Sequence, residues 1–434
     1  MSVRFQEAYE RFILRVRSAQ EQELAGSGQL IVVRDLWGRL SLLIENAPRA
    51  SLEALSTALQ EDSGPFFGAA PQHRDELFAP ELFFDSPDRR PIPGAPRIQV
   101  LERALTSADW LRSALPNREP RPPRATLYGI KGGVGRSTAL CAWARHLAKL
   151  GKRVLVVDLD LESPGVSSTL LQPEATADFG VVDWLVEDAV GNADETLVRL
   201  MVAPSPLSRD TPGRVSVVPC GGSSGSAGYM AKLARAYLDV SPPDGSVRTF
   251  ADRLGEMLDA LEAEHRPDVV LLDSRAGLHD IAAVTITRLQ AHVFLFAVGT
   301  RQTWDAYGVL FSQWQSSPIG AEIRERLKIV AAHIPEEGRK EYLRSFETAA
   351  YRLLLQTLYD PERPLGTSDS AATPLPVFNF DLRDPAGPHH RLPIYWNRVF
   401  QDWNPLDDAV SDDQLGAAFG EFLRGATSRL GIEA

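Results

Sequence analysis

The apolar positions change period along the chain, and each change predicts an element. Between residues 4 and 24, Phe5, Tyr9, Phe12, Ile13 and Val16 recur at helical spacing, predicting a helix with one buried face. Leu30–Val33 and Leu40–Ile44 are short apolar runs separated by the turn-like Asp35-Leu36-Trp37-Gly38, which predicts a hairpin. Ser51 to Leu59 reads as a short helix capped by Ser51, with Leu52, Leu55 and Leu59 inward. Residues 62–98 are rich in proline, aspartate and paired phenylalanines and show little periodicity. A further helix is expected over Val100–Leu115, followed by an extended proline-rich connector, Pro116 to Arg124.

From Thr126 onward strands and helices alternate. Thr126–Ile130, Val154–Val157, Val215–Pro219, Val269–Asp273, Val293–Val298, Ile329–Ala332 and Val377–Phe380 are expected strands. Helices are expected at 181–188, 229–237, 248–264, 303–314, 339–358 and 414–428. This alternation predicts an α/β fold with a mostly parallel sheet flanked by helices. The expected organisation is a small N-terminal α+β domain at 1–115, a linker at 116–125 and the α/β domain at 126–434.

The most informative stretch opens that second domain. A buried strand ending at Ile130 runs directly into Lys131-Gly132-Gly133-Val134-Gly135-Arg136-Ser137-Thr138. A helix follows with Leu140, Trp143, Leu147 and Leu150 on one stripe, and Gly151 stops it at a left-handed cap. Strand, glycine loop and helix in this order make a phosphate site, because glycines let backbone N–H groups close around phosphate oxygens at the positive end of a helix. Ser137 offers a hydroxyl to Mg²⁺. The usual phosphate loop reads G-x-x-x-x-G-K-[ST]; here Ile130 holds the first position and Arg136 replaces the lysine.

The early Lys131 followed by Gly-Gly-Val-Gly resembles the deviant phosphate loop of the ParA/MinD ATPases, and its ending resembles the KGGVGR variant branch. Asp158-Leu159-Asp160 after the next strand and Gly180-Val181-Val182-Asp183-Trp184-Leu185 also match that group. The resemblance covers about residues 126–340 and fades beyond. It implies a P-loop NTPase fold, ATP and Mg²⁺ as cofactors, and an ATP-dependent homodimer in which Lys131 reaches the other subunit's nucleotide. It further implies nucleotide contacts from Lys131, Gly132, Gly133, Val134, Gly135, Arg136, Ser137 and Thr138, and metal contacts from Ser137, Asp158 and Asp273. Asp160 is implied as the residue that orients or deprotonates the attacking water. Arginine at 136 departs from the family's lysine. It keeps a cation beside the phosphates but is longer, planar and forked, so hydrolysis is left open between a working ATPase and a non-hydrolysing, nucleotide-stabilised scaffold.

Val269–Asp273 is an apolar strand ending in a carboxylate, as a metal-water ligand in such folds must be. Arg275 stands where the family has proline. Two readings apply to it, a cation for the γ-phosphate or a partner for a surface carboxylate, and the second is preferred. The tandem His389-His390 lacks the spacing of a metal motif. Leu392–Asn397 either walls a base pocket or, in the preferred reading, packs Tyr395 and Trp396 into the core. The last helix, with Leu415, Phe419, Phe422 and Leu423 on one stripe, is expected to dock on the sheet, since its polar face lacks the basic residues of a membrane-binding helix.

Composition narrows the function. The 434 residues carry 57 acidic and 46 basic side chains, a net −11 that argues against bulk nucleic-acid binding. The segment 1–115 contains no lysine and no catalytic constellation; it is either a partner-recognition module or an elaboration packed on the ATPase. Two cysteines, Cys141 and Cys220, make neither a disulfide framework nor a metal set. With no apolar run of spanning length and no signal-peptide pattern, a cytoplasmic protein is expected. No guanine-reading Asn/Thr-Lys-x-Asp motif is present, which favours ATP over GTP, and no tyrosine follows Tyr395, which disfavours a tyrosine kinase of the same loop type.

Overall fold

The computed structural model describes residues 3–46, 52–116, 121–241, 246–361, 377–407 and 410–433. The Ser51 cap and residues 117–120 of the expected linker lie outside the described residues. The chain divides into two compact units, Met1–Ala108 and Asp109–Ala434.

The first unit is built on strands β1 (Leu30–Arg34), β2 (Leu40–Ile44), β3 (Gln72–His73), β4 (Arg89–Ile92) and β5 (Ala95–Glu102), in the order β3-β2-β1-β5-β4. The β1–β2 pair is the expected antiparallel hairpin. Helices Phe5–Glu21 and Leu52–Ser63 cover one face, burying Phe12, Val16, Leu55 and Leu59 against Leu30, Val32 and Ile98.

A helix over Val100–Leu115 is not formed. Residues 95–102 are β5, which pairs with β1 on one side and β4 on the other. Pairing on both edges, with Ile98 and Leu101 buried, outweighs the helical spacing. Residues 109–115, assigned from sequence to the N-terminal domain, pack with the second unit instead. Trp314 Nε1 donates to Trp110 O at 2.9 Å and Thr287 Oγ1 to Asp109 O at 2.7 Å.

The second unit is an eight-stranded sheet of β6 (Arg124–Gly129), β7 (Arg153–Asp158), β8 (Ala203–Pro204), β9 (Arg214–Val218), β10 (Val269–Asp273), β11 (His292–Ala297), β12 (Leu327–Ile334) and β13 (Leu392–Tyr395). Its order is β13-β12-β11-β6-β10-β7-β9-β8, parallel except for the β8 edge. Successive side chains of a strand point to opposite faces, and the burial follows that rule. Val154, Val156, Val269 and Leu271 face helices Arg136–Lys149 and Asp412–Arg429. Leu155, Val157, Val270 and Leu272 face helix Phe250–His265 on the other side.

The terminal helix docks as expected, with Phe419, Phe422 and Leu423 buried. Trp143 is fully buried beside it; its ring lies 5.1 Å from Phe294 and 5.8 Å from Phe422, and Nε1 donates to Thr427 Oγ1 at 3.0 Å. Truncating such a side chain costs about 3–5 kcal/mol.

Val377–Phe380 is not a strand. Its backbone is drawn aside by Asp360, whose Oδ2 accepts from Phe378 N at 2.8 Å, and Phe378 and Phe380 pack on Tyr359. The place beside β12 is taken by β13, so Leu392 and Ile394 are core residues; Tyr395 is half-buried, and Trp396, expected in the core, is exposed instead because it lies past the strand's end. His389 is buried between Tyr359 and the Leu382 carbonyl, with Nδ1 2.5 Å from the tyrosine oxygen and Nε2 3.0 Å from Leu382 O. Both ring nitrogens are thereby committed to the fold. Among the described residues no helix is long and apolar enough to cross a membrane.

Candidate functional site

The C-terminal ends of β6, β7 and β10 are adjacent in the sheet, and in an open parallel sheet this edge is where ligands bind. Residues 130–135 cross it as a loop between β6 and helix Arg136–Lys149. Gly133 and Gly135 have φ of +72° and +75°, left-handed conformations that side-chain-bearing residues avoid. The helix begins directly after Gly135, so the loop's amides and the first turn converge on one point.

Three carboxylates gather beneath that point. Asp158 and Asp273 end neighbouring strands and are paired in register. Both are buried, and Asp160 follows on the loop after β7. Ser137, in the first turn of the helix, donates from Oγ to Asp273 Oδ2 at 2.9 Å. Asp273 Oδ1 is buried without a partner. Burial first, and then the charge of Asp158, push the Asp273 carboxyl up to about 7. Asp160 is also raised, again chiefly by burial, while the Arg275 guanidinium pulls it back down; its Oδ1 is buried and unpartnered.

Asp158 is engaged differently. Its Oδ2 accepts from Ser167 Oγ at 2.7 Å, Ser167 N at 3.0 Å and Gly165 N at 3.3 Å, which braces the loop that carries Asp160. Oδ1 takes a single long bond of 3.3 Å from Asp160 N. Cys220 adds a second brace, its thiol lying 3.2 Å from the Asp158 carbonyl and 3.5 Å from that of Asp160. Neither Ser167 nor Cys220 was found from sequence, because no spacing marks a residue that serves a loop distant in the chain.

The two cations of the loop are placed apart. Arg136 donates from Nη1 to the carbonyl of Ser274, the residue after β10. Lys131 is half-buried, and among the described residues no side chain pairs with its ammonium. Arg275 follows the preferred reading, forming an ion pair of 3.0 Å with Glu162, which Tyr237 also contacts at 2.6 Å. This pair links the segment after β10 to the segment after β7. Gly277 closes the group by donating its N–H to Gly129 O at 3.1 Å.

A hydroxyl and a carboxylate, the latter with one oxygen buried and unsatisfied, suit a hard divalent cation that takes its remaining ligands from water and phosphate. Among the described residues no group of three or more His, Cys, Asp or Glu is arranged to hold a metal ion.

The family described as the CobQ/CobB/MinD/ParA nucleotide binding domain matches residues 125–328. Those residues belong to that family. The ParA/MinD-type P-loop domain therefore contains the glycine loop, the three aspartates and the segment after β10. A curated relative, the antiactivator FleN of Pseudomonas aeruginosa, is 25% identical over 212 residues, covering 49% of this chain. The chain spans 62% of that relative's length. Similar solved structures include a putative plasmid partition protein of Borrelia burgdorferi bound to AMPPNP, 14% identical with TM-score 0.44, over 71% of this chain and 100% of that one. A Cyanothece McdA–ATP complex is 14% identical with TM-score 0.42, over 72% of this chain and 98% of that one.

Proposed function

We propose that the protein is a Mg²⁺-dependent, ATP-binding and ATP-hydrolysing switch that controls its own dimerisation and the binding of a partner. The observation that carries this reading is the Ser137–Asp273 bond at the foot of a glycine loop with two left-handed glycines. The match of residues 125–328 to a nucleotide binding domain supports the choice of a nucleotide.

In this reading the amides of Lys131–Gly135 hold the β- and γ-phosphates, and Arg136 turns from the Ser274 carbonyl to the phosphate oxygens. Ser137 and Asp273 would hold Mg²⁺, which when bound would supply positive charge against the phosphates. Thr138 stands beside Ser137 in the same turn. Asp158 Oδ1, which takes only one long bond within the chain, would be left to accept from the metal's hydration shell. Asp160, whose free Oδ1 faces no competing donor, orients the attacking water and takes its proton. Lys131 extends across a two-fold interface toward the partner's phosphates. When Arg136 leaves Ser274, the segment carrying Arg275 and Gly277 is released, and this transmits the nucleotide state to the surface.

The first unit, Met1–Ala108, which holds all but the last residues of the segment 1–115, is proposed as the partner-recognition module. The hairpin tip presents Leu36 and Trp37 to solvent and Phe78 is fully exposed, apolar surface that a partner would cover. A second reading, a non-hydrolysing scaffold stabilised by nucleotide, is favoured by the arginine at 136, since the swap for lysine is not conservative. Calorimetry of ATP and GTP with and without Mg²⁺ tests the nucleotide assignment: one ATP per chain, strengthened by Mg²⁺, is expected. Equal binding of GTP or indifference to Mg²⁺ counts against it.

A further inference from the structure

A histidine outside the phosphate loop touches it. His333, at the C-terminal end of β12, has its Nε2 3.2 Å from the carbonyl oxygen of Gly133. Its ring also lies against Gly135, where an added Cβ would come within 3.4 Å of Cε1 and 3.5 Å of Nε2. The imidazole thus covers both left-handed glycines of the loop.

The backbone is arranged to put it there. His333 has φ of +53°, a left-handed conformation held inside a strand. The register beside β13 shifts at this place: Ala331 pairs with Pro393 and Ile334 with Tyr395, so β12 carries one extra residue. A bulge of this kind re-aims a side chain, and bulges gather next to functional sites. A left-handed non-glycine residue costs conformational energy and persists where its surroundings over-determine it. Ala332 and Ile334 on either side are buried, whereas His333 is exposed, so core packing does not account for its placement.

We infer that His333 is a positioning residue for the phosphate loop. By donating from Nε2 to the Gly133 carbonyl it holds that oxygen outward, which turns the neighbouring N–H groups inward toward phosphate. The inference rests on the nucleotide-binding reading of the loop. It adds a contact from two strands away in the sheet, made by a side chain that glycine patterns do not reveal.

The test uses the full-length chain and two variants, His333→Gly and His333→Asn. Glycine accepts a positive φ without strain but has no donor. Asparagine tolerates the left-handed backbone and keeps an N–H donor. The glycine variant is expected to melt at the parent's temperature without nucleotide, yet bind Mg·ATP about tenfold more weakly, the scale of one lost hydrogen bond. The asparagine variant is expected to recover part of that affinity. A glycine variant that binds Mg·ATP as tightly as the parent overturns the inference while leaving the nucleotide reading intact. A glycine variant whose melting temperature falls sharply makes His333 a fold residue and also overturns it. A parent that binds no nucleotide overturns the reading of the loop itself, and the inference with it.

Discussion

The Arg136 guanidinium donates to the carbonyl oxygen of Ser274, tying the end of the phosphate loop to the segment that follows β10. In the proposed reading Arg136 supplies the cation for the phosphates, so the same group would serve the nucleotide and the segment after β10 in turn. Substitution separates the two duties. Arg136→Ala is expected to weaken ATP binding by about a hundredfold, since a hydrogen bond to a charged group contributes roughly 1.5–3 kcal/mol. Arg136→Lys keeps a cation and is expected to stay near the parent. Titration calorimetry decides it, and equal affinity for the alanine variant contradicts the assignment.

Asp160 is predicted to act in turnover and not in binding. Asp160→Ala should retain Mg·ATP affinity while losing turnover by about a hundredfold or more, the usual contribution of a positioned general base. Phosphate release measured beside calorimetry makes the comparison. Unchanged turnover removes Asp160 from the mechanism, and a parent inactive under all conditions selects the scaffold reading.

One pH effect lies away from the site. His292, at the start of β11, has its pKa pushed down to about 4, first by burial and then by the nearby Arg429 and Arg326. The unfolded chain takes up this proton near pH 6.5, the ordinary histidine value, and the folded chain only near pH 4. Stability from this group is therefore full above pH 6.5 and is lost as the pH falls through 4. The loss is about 2 kcal/mol once solvent screening of a half-buried ring is allowed for. His292→Gln should lose that much less stability than the parent between pH 7 and about 4, measured by urea unfolding. Parallel curves for the two proteins contradict the prediction.

The phosphate loop and its flanking strands were legible in the sequence because their signals are local. Glycines at fixed offsets, a hydroxyl and strand-ending aspartates lie within a few residues of one another. The parts that were not legible depend on distant partners. β5 carries apolar residues at helical spacing and becomes a strand through two neighbours that a local reading does not supply. β13 contains Pro393 and serves as an edge, where proline is tolerated. Ser167, Cys220 and His333 reach the site from other elements, and His333 does so through a bulge that sequence period cannot show.

The central claim is that ATP drives assembly through Lys131. Lys131 is half-buried in the loop, and no side chain among the described residues pairs with its ammonium. Two nucleotides brought face to face place strongly anionic groups close together, and a cation from each side offsets that repulsion where water is scarce. A two-fold arrangement supplies both cations from one residue per chain. Light scattering after size exclusion, with Mg²⁺ and a slowly hydrolysed ATP analogue, tests this most directly. The account predicts a monomer without nucleotide, a dimer with it, and a Lys131→Ala protein that binds the analogue yet stays monomeric. A mass indifferent to nucleotide, or a Lys131→Ala protein that dimerises as well as the parent, contradicts it.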